Sequence, residues 1–206
     1  MTAFILKLRL FISLIGLSFL FGCSLILKNN YGYNDPGRFN EIEYKKFLST
    51  IDTTQFTLLR SSVSQFKQVI SLGKDSLRKK DLNQPVQLLF FDGSALVSYH
   101  ANCYAKGTLT GVKWNYKERF DFFPPKSAID SSLFELNLTH FSKIYEEIVP
   151  QKRFTVLVFW SWMLEGVSRD ALLTVQKNIK DNKVESEVEI YLINLDEFWS
   201  NSLHTK

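Results

Sequence analysis

The sequence predicts a mixed α/β (α+β) domain: an N-terminal helix and an antiparallel β-meander, followed by a βαβ unit. Three observations carry this. Phe154–Trp160 is a continuous stretch of β-formers, the pattern of a strand covered on both faces, and the run from Val188 to Leu195, broken only by Glu189 and Asn194, reads as the next buried strand. Between them a stripe of Ala171 or Leu172, Val175 and Ile179 repeats at helical spacing. Upstream, residues 86–123 hold short apolar runs broken by turn residues, which read as hairpins.

Taken in chain order, residues 28–40 are rich in Asn, Gly and Pro and read as a tether. From Glu41 to Leu77 the pattern is helical, with a short helix over 41–48. Leu59, Val63, Phe66 and Ile70 then share one face; Ser61 or Ser62 is placed to cap that helix and Gly73 to end it. Lys74 to Pro85 is charged and reads as a loop. In the meander, Val86–Phe91 is a strand, Asp92-Gly93 a two-residue turn and Ala95–Tyr104 the return. Val112–Tyr116 and Arg119–Phe123 supply a third and fourth strand before Pro124-Pro125 ends the sheet. Leu138, Phe141, Ile144, Tyr145 and Ile148 form a helical stripe. Ser168 is placed to cap the helix of the βαβ unit, whose flanking strands should be parallel.

The N-terminus has a different character. Lys7 and Arg9 precede an apolar run from Leu10 to Phe21, and Gly22 supplies a small residue before Cys23. That order is the layout of a secretory signal peptide. Leu20-Phe21-Gly22-Cys23 resembles the bacterial lipobox, and the resemblance implies cleavage after residue 22, acylation of Cys23 and an extracytoplasmic domain. Ser24, rather than Asp, implies an outer membrane where the host has one, and the lack of an acidic run after Cys23 implies its periplasmic face. The alternative is a plain transmembrane anchor, since the run from Leu10 to Leu27 reaches the ~18 residues that span a bilayer. The division is then 1–22 signal, 23–40 lipidated cysteine and tether, 41–135 helix plus meander and 136–206 βαβ segment, the last two able to form one continuous domain.

Composition narrows the function. Of 25 basic residues Lys7 and Arg9 leave with the signal, so 23 face 21 acidic ones; that balance argues against nucleic acid as a partner. With Cys23 used for lipid, Cys103 is the one remaining thiol, which rules out an intrachain disulfide and reads as a small buried residue on a strand. His100, His140 and His204 lack ligand spacing, so no metal or other cofactor is expected. Neither a nucleophile elbow nor a phosphate-binding glycine loop is present. Glu146-Glu147 and Asp196-Glu197 read as solvated pairs.

Residues 138–198 resemble the first half of a thioredoxin fold. The opening helix, Val156-Leu-Val-Phe-Trp-Ser161 and Ile193-Asn-Leu-Asp-Glu-Phe198 carry the likeness. The resemblance places the redox Cys-x-x-Cys in Trp162–Ser168, which has no cysteine, so dithiol chemistry is not expected. The family's later strand pair, cis-proline loop and last helix have no counterpart in the few residues after Asp196. The resulting expectation is a membrane-anchored, non-catalytic envelope lipoprotein that binds a partner protein. A thiol-reactive role for Cys103 and an immunity or inhibitor role are the alternatives. In Ala95–Tyr104 the set Ala95, Val97, Tyr99, Ala101 and Cys103 is expected to face the helix of residues 61–72. His100, Asn102 and Tyr104 are expected to point outward as the binding face.

Overall fold

The structure, a computed structural model, describes residues 34, 40–103, 105–108 and 111–203. Cys23, the signal, the tether apart from Asn34 and Asn40, Tyr104 and His204 lie outside them. The elements are α1 (Glu41–Ser49), β1 (Phe56–Arg60), α2 (Val63–Ser71), α3 (Ser76–Leu82), β2 (Gln87–Asp92), β3 (Ala95–Ala101), β4 (Lys106–Thr108), β5 (Gly111–Lys113), α4 (Leu138–Ile144), β6 (Phe154–Trp160), α5 (Glu165–Asp181), β7 (Val188–Asn194) and α6 (Asp196–Leu203). The fold is α+β. One five-stranded mixed sheet runs β1-β7-β6-β2-β3, and β4-β5 form a separate ribbon. No helix among the described residues is long and apolar enough to cross a membrane.

The βαβ unit is as expected. β6 and β7 are parallel neighbours, with Phe154 opposite Val188 and Trp160 opposite Asn194. All seven residues of β6 are buried, because successive side chains point to opposite faces and both faces are covered. Leu157 and Phe159 pack with Phe66 and Val69 of α2, Phe141 of α4 and Phe198 of α6. Val156, Val158 and Trp160 pack with Phe47 of α1 and with Ala171, Leu172 and Val175 of α5.

Elsewhere the structure differs from the sequence expectation in four places. Leu59 belongs not to a helix but to β1, which adds to β7 in parallel and carries the sheet to its other side. A spacing of four residues to Val63 imitates a helical stripe, yet the chain turns at Ser62, whose side chain and Gln65 make a reciprocal capping box that starts α2. Lys74–Pro85 is not all loop: Asp75 caps α3 by accepting from the Arg78 N–H. The predicted four-stranded meander contributes only its first two strands to the main sheet. The outer edge of β3 is covered instead by the later segment: the N–H groups of Ala128 and Ile129 reach Tyr99 O, and the Tyr99 N–H reaches Ser127 Oγ. Such covering removes an exposed edge. The hairpin turn sits at Gly93, whose φ of 56° lies in the left-handed region that glycine tolerates. Finally, α5 starts three residues before Ser168. Ser168 is buried and caps nothing; its Oγ donates to Ser161 O at 2.9 Å.

The β2–β3 hairpin also departs from simple alternation. Register slips between Phe90 and Phe91, a bulge that opposes Phe90 to Ser98 and Phe91 to Leu96. Tyr99 and Ala101 face the α2 side as expected. Beyond the bulge Leu96 changes sides to pack with them, while Ala95 and Val97 are exposed.

Candidate functional site

The C-terminal ends of parallel strands are where open α/β sheets present their chemistry. Here that end is built from the residues that follow β6 and β7. Leu195 N–H donates to Trp160 O at 2.8 Å, which ties the two strand ends together. The chain then turns into α6, and Asp196 points into the gap. Its Oδ1 accepts from Ser161 Oγ at 2.6 Å and from the Trp162 N–H at 2.8 Å; its Oδ2 accepts from Asn194 Nδ2 at 2.7 Å. Ser161 Oγ in turn accepts from the Met163 N–H at 3.1 Å. Burial raises the Asp196 pKa above the ordinary carboxylate value, against the pull of those hydrogen bonds.

This network corrects the reading of Asp196-Glu197 as a solvated pair: Asp196 is only 8 % exposed. The sequence signal was present in Asn194-x-Asp196, a pair of short polar side chains closing a buried strand, but adjacency to Glu197 obscured it. Ser161 is fully buried and its hydroxyl donates to a carboxylate, with no histidine in the network. The arrangement holds Ser161 and Asp196 to each other and to the backbone of the residues that follow β6. It fixes a loop. Asp196→Ala strands three donors, and a loss of about 1–3 kcal/mol is expected, read as a lowered urea midpoint with unchanged slope.

Asn34 docks on the same loop. Its N–H donates to Met163 O at 2.8 Å, and its Nδ2 reaches Trp162 O at 3.0 Å and Glu165 Oε2 at 3.3 Å. Glu165 is also paired with Arg169 at 2.7 Å.

The expected binding residues do not form one exposed face. His100 is 2 % exposed and belongs to the core, which overturns the outward reading. Its Nε2 shares a 3.0 Å hydrogen bond with Ser98 Oγ, and its ring lies 4.6 Å from that of Phe120 and 6.1 Å from Phe90. Burial, with a smaller push from Arg119, lowers its pKa to about 3. The physical reason is that residues 114–123 fold back over this face, so the hairpin is covered on both sides. Asn102 is half-buried and closes the hairpin base, its Oδ1 accepting from the Val86 N–H at 3.3 Å. Tyr104 lies outside the described residues. Cys103 is exposed in the turn after β3, not buried on a strand. Partial burial and then Asp81 raise its pKa, which lowers its thiolate fraction.

Exposed apolar side chains lie elsewhere. Trp114 Nε1 donates to Val167 O, and Asn178 Nδ2 donates to the carbonyls of Phe120 and Phe122, so residues 114–122 are strapped along α5. Phe122, 76 % exposed, and Leu173, 51 % exposed, remain uncovered along this strap. Beside them Trp114, Asn115, Asp170, Leu173, Thr174 and Lys177 line a shallow groove. Sequence reasoning missed this surface because its parts are far apart in the chain. No group of three or more metal-ligating side chains occurs among the described residues.

The fold and site define an α+β domain whose strand-end loop is locked by a buried carboxylate. No protein-family model matches the sequence, and no curated protein or solved structure matches it either.

Proposed function

We propose that the chain is an exported lipoprotein, anchored through Cys23 in the cell envelope, whose domain binds a partner protein and does no redox or hydrolytic chemistry. The observation that carries the non-catalytic reading is the Ser161–Asp196 network: the loop from Trp162 to Ser168 holds no thiol and is closed by internal hydrogen bonds. Likeness to thioredoxin supports the same reading. An antiparallel pair, β2 and β3, precedes the βαβ unit in the chain and lies beside β6, and Trp162–Ser168 holds no cysteine. The exposed Phe122 on the strap along α5 supports protein binding, since aromatic side chains are enriched at protein–protein interfaces.

Two experiments test the two halves. Cells supplied with a fatty-acid analogue should label the wild type and not Cys23→Ala. Capture from intact envelopes should retain a partner with Cys103→Ser and lose it with Phe122→Ser/Leu173→Ser. The exposure of Cys103 favours a second reading, a mixed disulfide with the partner. Capture that disappears with Cys103→Ser and survives the surface pair would establish that reading and remove the first.

A further inference from the structure

We infer that the end of the sheet bearing the Trp162–Leu164 loop faces the lipid bilayer, and that the Gly93 hairpin end faces away from it. The inference rests on the anchor at Cys23 and goes beyond it by assigning an orientation and a lipid-facing surface. Asn34 is fastened to this loop by its backbone N–H and by its side chain, at Met163 O, Trp162 O and Glu165. The tether therefore enters the domain at the C-terminal ends of β6 and β7. About eleven residues separate Cys23 from Asn34, and at ~3.6 Å each they reach at most ~40 Å.

The opposite orientation consumes that reach. The seven residues of β6 alone span ~23 Å. The loop at one end and the hairpin turn at the other add to this distance. A tether fixed at Met163 would have to run back along the whole domain, using well over half of that reach, to place the hairpin on the membrane. With the Trp162 loop toward the bilayer no such extension is required. The side chains there fit an interface. Trp162 and Met163 are half-buried, which leaves part of an indole and a thioether for the headgroup region, where tryptophan is favoured.

The test uses the full-length, lipidated Cys103→Ser protein in phosphatidylethanolamine/phosphatidylglycerol vesicles that contain an acceptor-labelled lipid. A donor dye is placed on Met163→Cys or on Ser94→Cys, both at positions with accessible side chains. Energy transfer is expected to be several-fold higher from position 163 than from position 94. Asn34→Ala, which removes the side-chain bonds to Trp162 O and Glu165, should shrink that ratio toward one. An unchanged ratio would overturn the role of Asn34. Equal or reversed transfer in vesicle-bound protein overturns the orientation while leaving the anchor in place. Protein that stays off the vesicles and carries no lipid at Cys23 overturns the anchor and the orientation together.

Discussion

Trp160→Ala should cost about 3–5 kcal/mol of stability, the range for deleting a large buried aromatic. Trp160 is fully buried at the end of β6, and its ring stacks on Phe47 at 4.4 Å and Tyr44 at 5.6 Å. The indole is thus the surface against which α1 packs. A loss of this size is a large share of the roughly 5–15 kcal/mol that holds a domain together. Its Nε1 has no hydrogen-bond partner among the described residues. Trp160→Phe therefore gives up ring area but strands no acceptor, and it should cost clearly less than Trp160→Ala. Urea unfolding followed by far-ultraviolet circular dichroism separates the two. If both variants unfold at the wild-type midpoint, α1 is not seated on this ring.

The second large effect is acid sensitivity through His100. Its folded pKa is lowered to about 3, from an ordinary value of 6.5, chiefly by burial and then by Arg119. Between those two values the unfolded chain binds a proton that the folded one refuses. Stability from this group is therefore fully present above pH 6.5 and is lost as pH falls toward 3. Each unit of pKa difference corresponds to about 1.4 kcal/mol, so the full window is worth several of these steps. His100→Phe removes the titrating group from a pocket already lined by Phe90 and Phe120. The expected result is a flatter stability profile between pH 6.5 and 4 than in the wild type. Identical profiles would mean that His100 titrates freely in the folded state. Asp196 works in the opposite sense: its raised pKa gives stability below the ordinary carboxylate range that is lost as pH rises through its folded value. Measurements in the His100 background isolate one slope from the other.

The βαβ unit was legible from the chain because its signals are local. Phe154–Trp160 is uniformly apolar over seven residues, and the stripe of Ala171, Val175 and Ile179 has one period only, so each element and the parallel pairing could be stated in advance. The start of α2, which the structure places at Ser62, was legible to within one residue, as a cap at Ser61 or Ser62. Phe56–Arg60 was not. Five residues are too few to separate a period of two from one of 3.6, and what makes them a strand is the row of β7 groups from Ile190 to Asn194 that they pair with. The site failed for a related reason. Asp196 and Glu197 are adjacent and both acidic, yet one is sealed under Ser161 and Asn194 while the other is exposed, a difference set by residues about 35 positions apart.

What the sequence by itself determined, then, is the α+β class, the core strands and helix of the βαβ unit, and the absence of a redox pair in Trp162–Ser168, because each depends on residue type and near-neighbour spacing. Only the tertiary structure decided which strands flank that unit, that β2–β3 lies beside β6 with its outer edge covered by residues 127–137, and that His100 is core while Phe122 is surface. Those outcomes depend on which segment returns to cover a face. Alternation along a strand marks two faces, but both faces of this sheet are covered, and periodicity carries no information about what covers either one.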